Sequence, residues 1–173
     1  LAMAEEILTE AEKRAGCMLV DLGADTTTVA IYTRDILRHL FVLPLGSNNI
    51  TKDLTTLKME EREAEAMKLK YASAYTEVAD IDDSMVWAID SNRSVNSRLF
   101  IDVVEARVLE IIANVWHLVP TEYADELLGG IILTGGGSNL KNIDNAFRRH
   151  THIDKVRIAK FLPLNILPET AKI

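Results

Sequence analysis

The stretch Asp21-Leu22-Gly23-Ala24-Asp25-Thr26-Thr27 joins two apolar runs with more small and polar residues than a hairpin turn requires. An anion such as phosphate needs several backbone N–H groups aimed at one spot, and positions without a bulky Cβ where the backbone must come close. Gly23 permits the tight reversal, the amides from Ala24 to Thr27 can face an anion, and the hydroxyl of Thr26 or Thr27 can donate to it. Asp21, at the end of its run, is placed to hold Mg²⁺ through water, because that ion prefers oxygen ligands and keeps part of its hydration shell. The plainer reading is a hairpin whose Gly and Thr serve turn geometry alone.

A second stretch, Ile131–Leu140 (IILTGGGSNL), sets Gly135, Gly136 and Gly137 at the carboxyl end of a buried strand, with Ser138 near the start of the helix that follows. That junction is where α/β sheets bind ligands, and glycines there admit the flat face of a base and its sugar. Three glycines for a simple strand-to-helix turn would be wasteful, since each costs backbone entropy. The other reactive residue types are less promising. His150 and His152 flank Thr151 without a third ligand, so they read as a helix-end surface pair, and Arg148–His150 as a cationic helix end. His39 and His117 have no nucleophile beside them, and no Ser-His-Asp arrangement emerges.

These loops need a scaffold, and the surrounding patterns supply one. CMLVDL, TTVAIYT and ILRHLFVLPL read as three consecutive strands joined by short turns. Ser47–Leu57 begins with capping residues and places Ile50, Leu54 and Leu57 at helical spacing; Glu60–Ala74 is built of strong helix formers. Thr76–Asp83 reads as an acidic, solvated loop, and Met85–Ile89 as a short strand. Ser97 is expected to cap the longest helix, in which Phe100, Val104, Val108, Ile111, Ile112, Val115 and Val119 form one stripe; Pro120 ends it. A buried strand, the glycine loop, a helix and a final strand at Asp154–Ala159 follow, and Leu1–Ala15 is a weak helix or lead-in arm. Mixed strands and helices of this kind make an α/β core with a helical insertion.

Composition sets the outer bounds. With 48% hydrophobic and 26% charged residues the 173-residue chain is globular, and its net charge of −7 disfavours nonspecific attraction to nucleic acid or anionic lipid. The single Cys17, inside an apolar run, reads as a buried inert thiol and points to a reducing, cytoplasmic setting. Trp87 and Trp116 read as core residues.

VDLGADTT resembles the second phosphate loop, and IILTGGGSNL the adenosine loop, of the actin-like ATPase superfamily, to which actin, DnaK-type chaperones and the rod-shape protein MreB belong. Within it the chain is most similar to the FtsA cell-division family: LPLGSNNITKDL resembles a Gly-x-x-x-Ile-Thr-x-Asp helix start, EAEAMKLKYASA a Glu-Ala-Glu-x-x-Lys-x-x-Tyr-Gly segment, and the late PLNI also fits. The resemblance implies an α/β, actin-like (ribonuclease H-like) ATPase domain, a mixed sheet with flanking helices and an inserted smaller α/β lobe. Residues 1–46 and 97–173 would form the core subdomain and 47–96 the inserted lobe.

It further implies ATP and Mg²⁺ as cofactors. Asp21, Gly23, Ala24, Thr26 and Thr27 would lie at the phosphates and metal, with Asp21 reaching the metal through water, and Gly135, Gly136, Gly137 and Ser138 at the adenosine. Glu65 and Lys68, one helical turn apart, match positions that contact ribose or base; apart from the resemblance they would read as a solvated salt-bridge pair. Ala24 and Asp25 replace glycines of the usual loop, and a carboxylate near phosphates repels them unless it points away or binds the metal. The function implied is a nucleotide-binding adaptor at the cytoplasmic face of the membrane, at the division septum. It would polymerise and tether FtsZ, whose carboxyl-terminal tail docks on the inserted lobe. The chain would be the second domain alone, holding half of a site, with at most slow ATPase in the full-length protein and the membrane-binding amphipathic helix beyond Ile173. The alternatives are a pilus-assembly or rod-shape actin-like protein, or a sugar-type kinase.

Overall fold

The computed structural model describes residues 2–159, so the late PLNI motif lies outside the described residues. β1 (Cys17–Leu22), β2 (Thr27–Thr33) and β3 (Ile36–Leu43) form the expected antiparallel meander. Arg34 and Asp35, between β2 and β3, both have positive φ, the backbone of a hairpin turn whose twist matches its strands. β6 (Gly130–Thr134) pairs parallel with β1, and β7 (Val156–Ile158) parallel with β6, which gives a mixed sheet in the order β3-β2-β1-β6-β7.

The strands β1, β2 and β6 are almost continuously buried because both faces of the sheet are covered. On one face Met18, Val20, Val29, Ile31, Ile131 and Leu133 pack with Phe100, Val104, Ile112 and Phe147. Those four come from α5 (Ser97–Leu118) and α7 (Ile143–Thr151). On the other, Cys17, Leu19, Ala30, Tyr32 and Ile132 meet Ala4 and Leu8 from the amino-terminal segment. Burial of Cys17 pushes its thiol up to about 12, consistent with the inert reading.

The amino-terminal segment is two short helices, α1 (Ala2–Ile7) and α2 (Glu10–Ala15), separated at Thr9 by a capping box. The Thr9 hydroxyl accepts from the Glu12 N–H at 3.0 Å, and the Glu12 carboxylate accepts from the Thr9 N–H at 2.8 Å. Glu12 also receives Arg157 of β7 through two bonds of 2.7 and 2.8 Å, a bidentate clamp between residues 145 positions apart. Burial alone would raise the Glu12 carboxyl, but the Arg157 guanidinium and the Thr9 N–H outweigh it and hold the group below its ordinary 4.5. A depressed carboxyl contributes stability above the unfolded value and loses it as pH falls through the folded one. Wild type should therefore exceed Glu12→Gln in urea resistance at pH 7, with the advantage disappearing below pH 4.5; an equal midpoint difference at pH 7 and pH 3 would contradict the clamp.

α3 (Ser47–Leu54) and α4 (Glu61–Tyr71) lie where their patterns place them. β4 (Val86–Ala88) pairs antiparallel with β5 (Ser94–Asn96), a strand with no sequence signal beyond buried Val95. α5 buries its predicted stripe, but its cap is Asn96, whose side chain accepts the Leu99 N–H at 3.2 Å; Ser97 is the first helical residue and its hydroxyl donates to the Asp82 carbonyl. Pro120 ends the helix and leads into the single turn α6 (Thr121–Ala124). After β6 the glycine loop is a short 3₁₀ turn, Gly136–Asn139, so α7 starts five residues beyond Ser138 rather than beside it.

Candidate functional site

The turn after β1 is anchored before it meets any ligand. The Gly23 N–H donates to the Thr26 carbonyl at 2.9 Å, while the Gly23 and Ala24 carbonyls accept from the Ser47 and Asn48 N–H groups at 3.0 and 2.8 Å. The first turn of α3, rich in unpaired N–H groups, thus fixes the turn's carbonyls on its own side. Gly46 makes this approach possible, since a Cβ there would lie 2.6 Å from the Gly23 carbonyl oxygen. Among the described residues the N–H groups of Ala24, Asp25 and Thr26 make no backbone bond. Thr26 is exposed, but the hydroxyl of Thr27 is buried and donates to the Leu45 carbonyl at 2.8 Å, so it is committed to the fold. Asp25 accepts from the Asn48 side chain at 2.9 Å.

The glycine loop stands against this turn. Gly135 has φ +86°, and a Cβ there would lie 2.6 Å from the Leu22 carbonyl oxygen and against the Asp21 carboxylate. Gly137 is pressed on Leu22 in the same way, whereas Gly136 has open space around it. The Ser138 hydroxyl is buried and donates to the Gly135 carbonyl at 2.6 Å, closing the loop on itself.

Glu65 and Lys68 are a built pair. Lys68 is buried and donates from Nζ to Glu65 at 2.8 Å and to the Ser47 carbonyl at 3.2 Å. Glu65 also accepts from the Thr51 hydroxyl at 2.7 Å. Burial raises the Glu65 carboxyl, but Lys68 and Thr51 outweigh it and hold the group below its ordinary 4.5. Each residue of the Gly-x-x-x-Ile-Thr-x-Asp segment thereby has a task. Gly46 admits the turn, Ile50 is buried, Thr51 holds Glu65, and Asp53 receives Arg107 of α5 through bonds of 2.7 and 3.0 Å.

These parts border one cleft of about 400 Å³. It is lined by Ala24 of the turn, Ser47 and Asn48 of α3, Glu65 and Lys68 of α4, and Gly136 and Gly137 of the loop. Asp21, Gly23, Thr26, Thr27, Gly135 and Ser138, which the sequence also marks, are not among its lining residues. Asn48, Lys70, Asn139 and Lys141 also line it and had no sequence signal, although Asn48 sits at the capped helix start that the sequence marks. The cleft thus borders a turn whose amides make no backbone bond, a buried ammonium and a wall of glycines.

A family model described as cell division protein FtsA matches residues 18–169. The chain belongs to the FtsA family. The FtsA-family protein of Porphyromonas gingivalis is 36% identical over 152 residues, covering 86% of this chain and 32% of that protein. The chain therefore spans about a third of the length of such relatives. Among solved structures, MreB5 of Spiroplasma citri bound to ADP superposes with a TM-score of 0.68 at 19% identity, covering 95% of this chain and 56% of MreB5. The MamK double helical filament does so with 0.56 at 18%, covering 83% and 49%. These likenesses establish the actin-like fold. They agree with the expected mixed sheet and flanking helices.

Proposed function

We propose that this FtsA-family chain supplies one half of a nucleotide site in a cell-division adaptor. The observation that carries the reading is the shared cleft, in which a turn with free amides, a buried lysine and an open glycine wall meet. The N–H groups of Ala24, Asp25 and Thr26 receive phosphate, Glu65 and Lys68 take the ribose, and Gly136 and Gly137 lie against the adenine. ATP is the cofactor, in keeping with the ADP of the MreB5 structure. Asp21 suits Mg²⁺ held through water, a role that needs one carboxylate; among the described residues no three His, Cys, Asp or Glu side chains gather as a direct metal site. The Asp25 carboxylate, which would repel phosphate unless it points away or binds the metal, accepts a hydrogen bond from the Asn48 side chain.

In this reading residues 1–46 and 97–173 are the core subdomain, and residues 47–96 the smaller lobe that receives the FtsZ tail. The protein self-associates into filaments, as MamK does in its double helical filament. It tethers FtsZ to the inner face of the membrane through a carboxyl-terminal amphipathic helix; among the described residues no helix is long and apolar enough to cross a membrane. The adaptor role is tested by fluorescence anisotropy of a labelled FtsZ carboxyl-terminal peptide titrated with the folded chain. Saturable micromolar binding is expected. An absence of binding would remove the FtsZ partner from the reading and leave an FtsA-family chain with a proposed nucleotide half-site.

A further inference from the structure

The first turn of α3 sorts the groups of the phosphate turn onto two sides. The Ser47 and Asn48 N–H groups donate to the Gly23 and Ala24 carbonyls at 3.0 and 2.8 Å. In a trans peptide the C=O and N–H point in opposite directions, and among the described residues there is no cis peptide bond. Those two bonds therefore turn the N–H groups of Ala24 and Asp25 away from α3, on the side where they make no backbone bond. The Asp25 side chain goes the other way. Its Oδ1 accepts from Asn48 Nδ2 at 2.9 Å, and since a carboxylate can only accept, the NH2 end of the Asn48 amide must face it. Among the described residues no other side chain bonds to Asp25, which is exposed. Asn48 is half-buried and lines the cleft, and its own backbone bond to Ala24 fixes the base of its side chain beside the turn.

We infer that Asn48 is a positioning residue of the nucleotide half-site proposed above, on which this inference rests: it holds the Asp25 carboxylate on the α3 side of the turn, away from phosphate bound at the amides. An exposed aspartate without a partner moves among its rotamers. Some of these bring the carboxylate round to the N–H groups that follow it, the local bonding that makes aspartate a turn residue. There it would act against phosphate twice, by occupying the donors that phosphate needs and by repelling its charge. The bond from Asn48 removes both effects without adding a charge of its own. It accounts for a phosphate turn that carries Asp25 where the usual loop has glycine.

A double-mutant cycle read by amide chemical-shift titration of the isotope-labelled chain with MgATP is the test. Asn48→Ala keeps the backbone bond to Ala24 and suits the first turn of a helix, so the urea midpoint should stay unchanged while MgATP affinity falls at least threefold. Asp25→Asn alone should shift affinity by less than twofold, because the carboxylate it neutralises is already held aside. Combined with Asn48→Ala, Asp25→Asn should restore wild-type affinity, a rescue that a merely structural loss at Asn48 would not show. Equal binding by wild type and Asn48→Ala, or a loss that Asp25→Asn does not restore, would overturn the role of Asn48 and leave the half-site standing. A larger change in either direction for Asp25→Asn alone would also overturn it, since the carboxylate would then face the phosphates or their metal in the wild type. A wild type that binds no MgATP at millimolar concentration would overturn the half-site and this inference together.

Discussion

Gly135→Val should lower the unfolding free energy by at least about 3 kcal/mol, whereas Gly136→Val, one residue on, should change it by less than about 1 kcal/mol. The contrast comes from the backbone. At Gly135 φ is +86°, a conformation that β-branched residues reach only with strain, and any Cβ would crowd the Leu22 carbonyl and the Asp21 carboxylate. The Asp21 side chain can rotate away, but Leu22 is held in β1 between β2 and β6. Gly136 lies in the 3₁₀ turn with nothing within 4 Å of its would-be Cβ, and it borders the cleft. A valine there fits the fold but intrudes on the space proposed for adenine, so nucleotide affinity of the full-length protein should fall at least tenfold. Urea denaturation followed by tryptophan fluorescence, with nucleotide binding on the same variants, checks both halves. Equal stability losses would mean that the two glycines do the same work.

Phe100→Ala should cost about 3–5 kcal/mol, the range for emptying a buried aromatic site. Phe100 is 0% exposed and meets Trp87 and Tyr71 edge-on, with centroids 5.4 and 6.4 Å away. It joins α5 to α4 and β4, so its loss should also reduce the near-ultraviolet dichroism of Trp87. Leu109→Ala on the same helix, where the side chain is 44% exposed, is the control and should stay within about 0.5 kcal/mol. A cost below about 1.5 kcal/mol for Phe100→Ala would mean that the aromatic cluster closes over the gap.

The parts of this fold that are legible in the sequence are those with a local period or a local composition. The α5 stripe from Phe100 to Val115 and the apolar runs of β1, β2 and β6 follow from burial on one face or on both. The two loops stand out because glycine is expensive where it is not needed. β5 and α6 do not stand out, because Ser94–Asn96 carries one apolar residue and Thr121–Ala124 is a single turn, so neither shows a period. The α5 cap lies one position before the expected Ser97 because Asn96 and Ser97 are both good capping residues, and only Asn96 meets the Leu99 N–H. Within the site, the commitment of Thr27 to Leu45, the bracing of the turn by Ser47 and Asn48, and the entry of Lys141 into the cleft all depend on contacts between residues distant in sequence. Glu65 and Lys68 resemble an ordinary surface pair because their spacing is that of one, and their bonds to Thr51 and Ser47 become visible only once α3 packs on α4.

The most direct test of the nucleotide half-site is an amide chemical-shift titration of the isotope-labelled chain with MgATP, which remains informative at the weak affinity a half-site would have. Shifts confined to residues 23–26, 47–48, 65–72 and 135–141, saturating with concentration and absent in Gly136→Val, are the predicted result. A titration that leaves these amides unmoved at millimolar nucleotide, or that moves a different surface, would contradict it.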